Sequence, residues 1–195
     1  MLLEFLLIVL FLLILVSWAF WILTILLAYM FLDRQTDPQP GFMPPAAILI
    51  PIKGLDAGLY HNLASFCSQD YPDYEVLIGV EDRRDACLSI VHQVRREFTT
   101  CRMKVCIAQP RGANRKAAML HYLAGQTSQA ILVAVDSDMR ATPDYLSRVV
   151  SPLAEPRIGM VTCLYQGIEP LNLTARLEAL HMSASFLPLV LVPNG

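Results

Sequence analysis

The chain has 195 residues, of which 55% are hydrophobic, and 15 basic residues against 17 acidic ones give a formal net charge of -2. This balance excludes the basic footprint of a nucleic-acid-binding protein. The five cysteines are odd in number and lack C-x-x-C spacing, which argues against both a disulfide framework and a zinc site. We therefore expect free thiols in a reducing compartment.

The first element in chain order is a long apolar segment. Residues 5–32 contain no charged residue, and as a helix they would be about 42 Å long, which is more than a bilayer core requires. The segment predicts a transmembrane helix over residues 1–32. A cleaved signal peptide is the competing interpretation, but it favours a basic start, whereas Glu4 is the only early charge. Arg34 weakly favours a cytoplasmic carboxyl side.

A proline-rich polar linker, residues 33–45, separates this helix from a domain over residues 46–195. Within the domain, apolar strand candidates start roughly every 26–29 residues, as repeating βαβ units would. The strand candidates are 46–50, 75–80, 104–108, 130–135 and 159–165. Amphipathic helix candidates fill the gaps at 59–68, 86–98, 115–124 and 143–153. The alternation predicts an α/β fold with a mostly parallel sheet and helices on both faces.

The fourth strand candidate ends in two acids. Residues 130–135 form an apolar run typical of a parallel strand buried on both faces, and Asp136 and Asp138 follow at once. Thr142 is a predicted N-cap with Pro143 at the first helical position. Two carboxylates at a strand end suit a hard divalent cation that also holds substrate phosphates. The alternative is a solvated loop, because Asp is common where strands end.

Further charged residues follow the other predicted strands. Lys53 comes just after the first strand, Asp82 after the second, and Lys116 after the third. In parallel α/β sheets, ligands bind beyond the carboxyl ends of the strands. Singly, Lys53 could be a surface charge and Asp82 a turn residue. Together with the two acids they predict a site for a nucleoside diphosphate with Mg or Mn.

Three segments resemble a known family: ILIPIKGLDAGLYHNLASFCSQDYPDYEVLIGVEDRRD, GANRKAAMLHYL and VDSDMRATPDYL. They resemble family 2 glycosyltransferases with the GT-A fold, specifically the ceramide glucosyltransferase branch and its bacterial hopanoid-associated members. The resemblance implies a Rossmann-like GT-A sheet and inverting transfer of a hexose or N-acetylhexosamine from a UDP-sugar to a membrane lipid hydroxyl. It also implies a bacterial inner-membrane protein, anchored in the lipid bilayer, with its domain in the cytoplasm.

The resemblance also assigns roles to residues. The nucleotide-sugar-binding positions fall on Pro51, Lys53, Asp82, Lys116 and Asp136. Among them, Asp82 matches the acid that contacts the base, and Asp136 matches the acid that faces ribose and sugar. Asp138 matches the acid that coordinates the Mg or Mn ion, which stabilises charge on the departing diphosphate.

The general base of the resembled family lies well downstream of D-x-D, before a Gln or Arg-x-x-Arg-Trp motif. No tryptophan follows Trp21, so we expect the base beyond Gly195 and interpret residues 46–195 as the donor-binding part, with doubtful turnover alone. Two alternatives stay open. One is a noncatalytic nucleotide-sugar-binding module. The other is a haloacid dehalogenase-type phosphohydrolase, whose D-x-D usually lies near the start of its domain.

Overall fold

The structure is a computed structural model that describes residues 1–33, 41–163, 167 and 173–181. It divides into two compact units, residues 38–161 and the remaining terminal segments. The terminal unit contains helix α1 (Leu2–Asp33) and helix α6 (Leu173–His181). By length and composition, residues 2–30 of α1 could cross a membrane, and a signal sequence would have the same character. The predicted apolar helix therefore forms, and its membrane role stays a prediction.

The second unit is built on a parallel sheet of four strands. The strands are β1 (Ala46–Ile52), β2 (Tyr74–Val80), β3 (Arg102–Ile107) and β4 (Ile131–Ala134). Their order is β3-β2-β1-β4, and every pairing is parallel. Ile48 of β1 lies opposite Val76 on one side and Val133 on the other. The parallel sheet predicted from sequence is confirmed, and all four carboxyl ends meet at one edge.

Four helices cover this sheet. They are α2 (Leu59–Cys67), α3 (Cys87–Glu97), α4 (Arg115–Ala124) and α5 (Tyr145–Val150), which a 3₁₀ helix (Ser151–Ala154) extends. Helices α2, α3 and α5 bury one face of the sheet, where Leu63 and Phe66 of α2 are almost fully buried. Helix α4 covers the other face, with Met119 and Leu123 in its core cluster. Helices therefore lie on both faces, as the apolar periodicity predicts.

The predicted fifth strand is wrong over the residues that the structure describes. Residues 159–163 form no strand, and residues 164–165 lie outside the described residues. Alternating apolar residues make a strand only when a neighbouring strand accepts their backbone hydrogen bonds. Here Met160 is 82% exposed, so this segment packs no apolar face of a sheet.

Strand β4 is also less buried than its apolar sequence predicts. One of its faces carries Ile131 and Val133, which pack against the main core. On the other face, Leu132 is 47% exposed. Helix α4 packs over β1 and β2 and leaves the Leu132 side of β4 open to solvent. An apolar run thus identified the strand, while burial depended on where the covering helix lies.

The start of α5 also differs from the prediction. The helix begins at Tyr145 with Asp144 as its N-cap, and the Thr142 hydroxyl donates to the Asp144 carboxylate at 2.6 Å. The Thr142 carbonyl accepts from the Gln69 side chain at 2.9 Å, and the Pro143 carbonyl accepts from the Asp70 amide at 2.8 Å. These tertiary hydrogen bonds hold both residues outside the helix.

One close approach fixes α4 against the sheet and gives a testable prediction. A Cβ atom on Gly79 of β2 would lie 2.7 Å from Met119 Cγ and 3.0 Å from Leu123 Cδ1. Both side chains are buried and cannot withdraw freely. We expect Gly79→Ala to lower the free energy of unfolding by about 1–3 kcal/mol, measured by urea unfolding followed by circular dichroism. Gly159→Ala is the control, because nothing lies within 4 Å of that position.

Candidate functional site

The charged residues predicted from sequence do meet at the carboxyl edge of the sheet. Lys53 follows β1, Asp82 follows β2, and Asp136 and Asp138 follow β4. Lys116 lies in the first turn of α4, after β3. Lys53, Asp82 and Asp138 are exposed. Since β1 lies between β2 and β4, the edge presents alternating acidic and basic groups to solvent.

The turn after β1 is held by an acid that sequence reasoning did not assign. Gly54 has a φ of 77°, and its amide donates to Asp85 Oδ2 at 2.9 Å. Asp85 Oδ1 accepts from the Cys87 amide at 2.9 Å. The two backbone hydrogen bonds, the Cys87 one foremost, lower the pKa of Asp85. The turn that carries Lys53 is therefore tied to the first residue of α3.

A pocket of about 430 Å³ lies beyond the ends of β2 and β3. Its walls include Asp82, Ile107 and Gln109. Asp82 Oδ1 accepts from the Arg84 amide at 2.9 Å, and Gln109 Nε2 donates to the Glu81 carbonyl at 3.4 Å. The pocket thus combines an apolar wall with a carboxylate and a carboxamide. A larger cavity of about 650 Å³ lies at the opposite edge, away from every predicted site residue.

Helix α4 joins the ends of two strands that flank β1. Asn114 caps the helix by accepting from the Ala117 amide at 3.0 Å. Arg115 binds Glu81, after β2, through two hydrogen bonds of 3.0 and 2.6 Å, and this pairing lowers the pKa of Glu81. The next residue, Lys116, forms an ion pair with Asp136, after β4. The first turn of α4 therefore places its cations directly over the strand ends.

The acidic residues after β4 lie in a turn that is bonded to α2 and to the turn after β1. The Met139 amide donates to the Asp136 carbonyl at 3.2 Å. Between the acids, the Ser137 hydroxyl donates to Asp56 Oδ2 at 2.7 Å, and its carbonyl accepts from Asn62 Nδ2 at 3.1 Å. Sequence reasoning assigned no role to the Ser137 contacts, because the partners lie more than 70 positions away.

The donor set fits a divalent cation completed by a ligand. No group of three His, Cys, Asp or Glu residues in the described part of the chain forms a complete metal site. Asp138 is exposed, and no described residue bonds to its carboxylate. Mg and similar cations are commonly bound by one or two carboxylates together with substrate phosphates. Asp138, with Asp136 beside it, provides that kind of incomplete oxygen site.

The fold of the second unit is the GT-A fold. A mannosyltransferase from Pyrobaculum calidifontis, solved with GDP-Man and Mn2+, has this fold with a TM-score of 0.59. It is 23% identical, and the alignment covers 74% of this chain and 44% of that one. The predicted GT-A fold is thereby confirmed.

The family follows from the sequence match. Residues 9–195 match glycosyl transferase family 21, and the chain belongs to this family. Ceramide glucosyltransferase 1 of Caenorhabditis elegans is 24% identical over 165 residues, or 84% of this chain and 35% of that protein. An N-acetylglucosaminyltransferase of Rhizobium meliloti is 27% identical over 120 residues, or 61% of this chain and 28% of that protein.

These matches confirm the resemblance to the ceramide glucosyltransferase branch. The sequence resemblance named family 2, whereas the family model that matches is that of family 21. They give no support to the phosphohydrolase alternative. The chain spans about a third of the length of the curated relatives named here.

Proposed function

We propose that this chain is the donor-binding part of a membrane-anchored glycosyltransferase. The donor is a UDP-sugar that carries a hexose or an N-acetylhexosamine, and the acceptor is a lipid hydroxyl, ceramide-like or hopanoid-like. The main observation behind this proposal is that the acids after β2 and β4 lie at the same sheet edge as the cations of the β1 turn and of α4. Transfer with inversion follows the family resemblance.

The nucleotide is assigned to the β1–β2–β3 side of this edge. Asp82, together with the neighbouring amide of Gln109, would bind the base in the 430 Å³ pocket, where one carboxylate and one carboxamide provide hydrogen-bonding groups. Pro51, near the end of β1, and Lys53, in the following turn that Asp85 holds in place, would frame the base. An apolar wall at Ile107, which is 39% exposed, suits the face of a flat ring.

The diphosphate and sugar are assigned to the α4–β4 side. Lys116 would bind phosphate oxygens, and Asp136 would bind ribose and sugar hydroxyls. Donor binding then exchanges the Lys116–Asp136 ion pair for contacts of each residue with the ligand. A Mg or Mn ion held by Asp138 would neutralise charge on the diphosphate leaving group.

The acceptor and location are inferred from other observations. Helix α1 is long and apolar enough to lie in a bilayer, which would keep the domain over residues 46–195 close to a lipid acceptor. The linker over residues 33–45 would separate the two. Ceramide glucosyltransferase relatives support a lipid acceptor, and we assign the domain to the cytoplasmic side of a bacterial inner membrane.

A calorimetric titration of UDP into the detergent-solubilised chain tests the proposal, first with Mn2+ and then with excess chelator. We expect binding that depends on Mn2+ and that is weaker for UMP, which lacks the second phosphate. GDP is the matched control for the base pocket. A chain that is folded by circular dichroism but binds none of these nucleotides would contradict the proposal. Binding without sugar transfer to any lipid acceptor would instead favour a noncatalytic nucleotide-sugar-binding module.

A further inference from the structure

Ser137, the middle residue of the Asp-Ser-Asp turn, is held by two different parts of the domain. Its hydroxyl donates to Asp56 Oδ2 at 2.7 Å, in the turn between β1 and α2. Its carbonyl accepts from Asn62 Nδ2 at 3.1 Å, on α2. A side-chain bond and a backbone bond therefore fix the same residue from two directions.

Asn62 is well suited to hold this turn. It is only 4% exposed, so its carboxamide is shielded from competing water. Its Oδ1 atom accepts from Arg140 Nε at 3.5 Å while its Nδ2 atom binds Ser137. Both ends of the carboxamide thus bind the acidic turn and the residues that follow it. A buried polar side chain satisfied in this way is rigid, because rotation would leave a buried group without a partner.

Asp136 and Asp138 are the chain neighbours of Ser137, so fixing the Ser137 backbone also restricts the backbone of both acids. A carboxylate on an exposed turn loses conformational freedom when it binds a ligand, and this loss weakens binding unless the turn is already ordered. Supporting hydrogen bonds that order binding groups in advance improve affinity without touching the ligand. The bonds to Ser137 provide such support for Asp136 and Asp138.

We propose that Ser137, Asp56 and Asn62 are positioning residues that hold Asp136 and Asp138 in the arrangement needed for the metal and the nucleotide sugar. This inference rests on the proposed function and extends it. It predicts that tight donor binding by this chain requires a hydroxyl at position 137, between the two acids. It also predicts that Asp56 contributes to donor binding through Ser137.

The test compares Ser137→Ala with Ser137→Thr in the full chain. Ser137→Ala removes the hydroxyl, and we expect about tenfold weaker binding of UDP with Mn2+, as for loss of one hydrogen bond to a charged acceptor. Ser137→Thr keeps the hydroxyl and should restore most of the affinity. Ser147→Ala is the control, because that hydroxyl binds the Asp144 carbonyl on α5 and should leave the affinity unchanged.

A double-mutant cycle with Asp56→Ala shows whether the two residues act together. We expect the double variant to bind UDP with Mn2+ no more weakly than Ser137→Ala alone, since both changes remove the same bond. Additive losses, or wild-type affinity in Ser137→Ala, would overturn the inference.

Amide hydrogen exchange of residues 137–139 in the ligand-free chain provides a readout that needs no nucleotide. We expect faster exchange in Ser137→Ala than in wild type, and equal rates would overturn the inference. If wild type binds no nucleotide, the proposed function fails. Faster exchange would then still show that the bonds order the turn, and only their link to donor binding would be lost.

Discussion

Asp138→Ala should abolish the part of UDP binding that depends on Mn2+ while leaving the domain folded. The expected loss of affinity is about 100-fold or more in the presence of Mn2+, because a site completed by substrate phosphates has few protein ligands to spare. Stability should change little, since Asp138 is exposed and contributes nothing to the core. Calorimetry with and without chelator measures the first effect, and thermal unfolding measures the second.

A matched control separates this effect from a general change in charge. Asp70→Ala removes an exposed acid at the opposite edge of the sheet and should leave UDP affinity within about twofold, since exposed charges at that distance are screened by salt. Equal affinity of wild type and Asp138→Ala for UDP in Mn2+ would remove Asp138 from the metal site.

Gln69→Leu should cause the largest loss of stability among the changes considered. Gln69 is 8% exposed, and its carboxamide donates to the carbonyls of Ser65 and Thr142 at 2.8 and 2.9 Å. Its oxygen accepts from the Leu146 amide at 2.9 Å. Leucine has a similar size but leaves these backbone groups unsatisfied. We expect the free energy of unfolding to fall by about 3 kcal/mol.

Urea unfolding followed by circular dichroism measures this loss. Tryptophan fluorescence is unsuitable, since both tryptophans lie in α1. The control is Gln93→Leu on α3, whose half-buried carboxamide donates to the Glu97 carboxylate at 3.0 Å and should change stability by about 0.5 kcal/mol or less. A loss below about 1 kcal/mol for Gln69→Leu would show that water replaces the three hydrogen bonds.

Gln69 also shows what a sequence motif does physically. It begins the segment Gln-Asp-Tyr-Pro-Asp-Tyr that carries part of the family resemblance. In the structure this segment lies at the amino edge of the sheet, where its side chains connect neighbouring parts of the fold by hydrogen bonds. The Tyr71 hydroxyl donates to the Pro44 carbonyl at 2.6 Å, and the Tyr74 hydroxyl accepts from the Gln69 amide at 3.2 Å. The motif therefore supports the fold, while the site itself lies at the other edge.

The sequence by itself determined the parallel α/β architecture and the sheet edge at which the predicted charged residues lie. Apolar runs spaced by helix-length gaps can bury their residues only as parallel strands with covering helices. Once the strands are parallel, the residues after each strand must meet at one edge, so Lys53, Asp82 and Asp138 could be assigned without coordinates.

Only the tertiary structure decided which side chains form hydrogen bonds and ion pairs with the residues after the strands. Asn62 and Ser65 on α2, and Gln69 just after its end, form hydrogen bonds with residues 137–146. Arg115 and Lys116 bind acids that follow different strands, although the two cations are adjacent in sequence. These partners are separated by 20 to 77 positions in the chain, and no local pattern encodes such pairs. They depend on the distance between packed elements, which only the folded core sets.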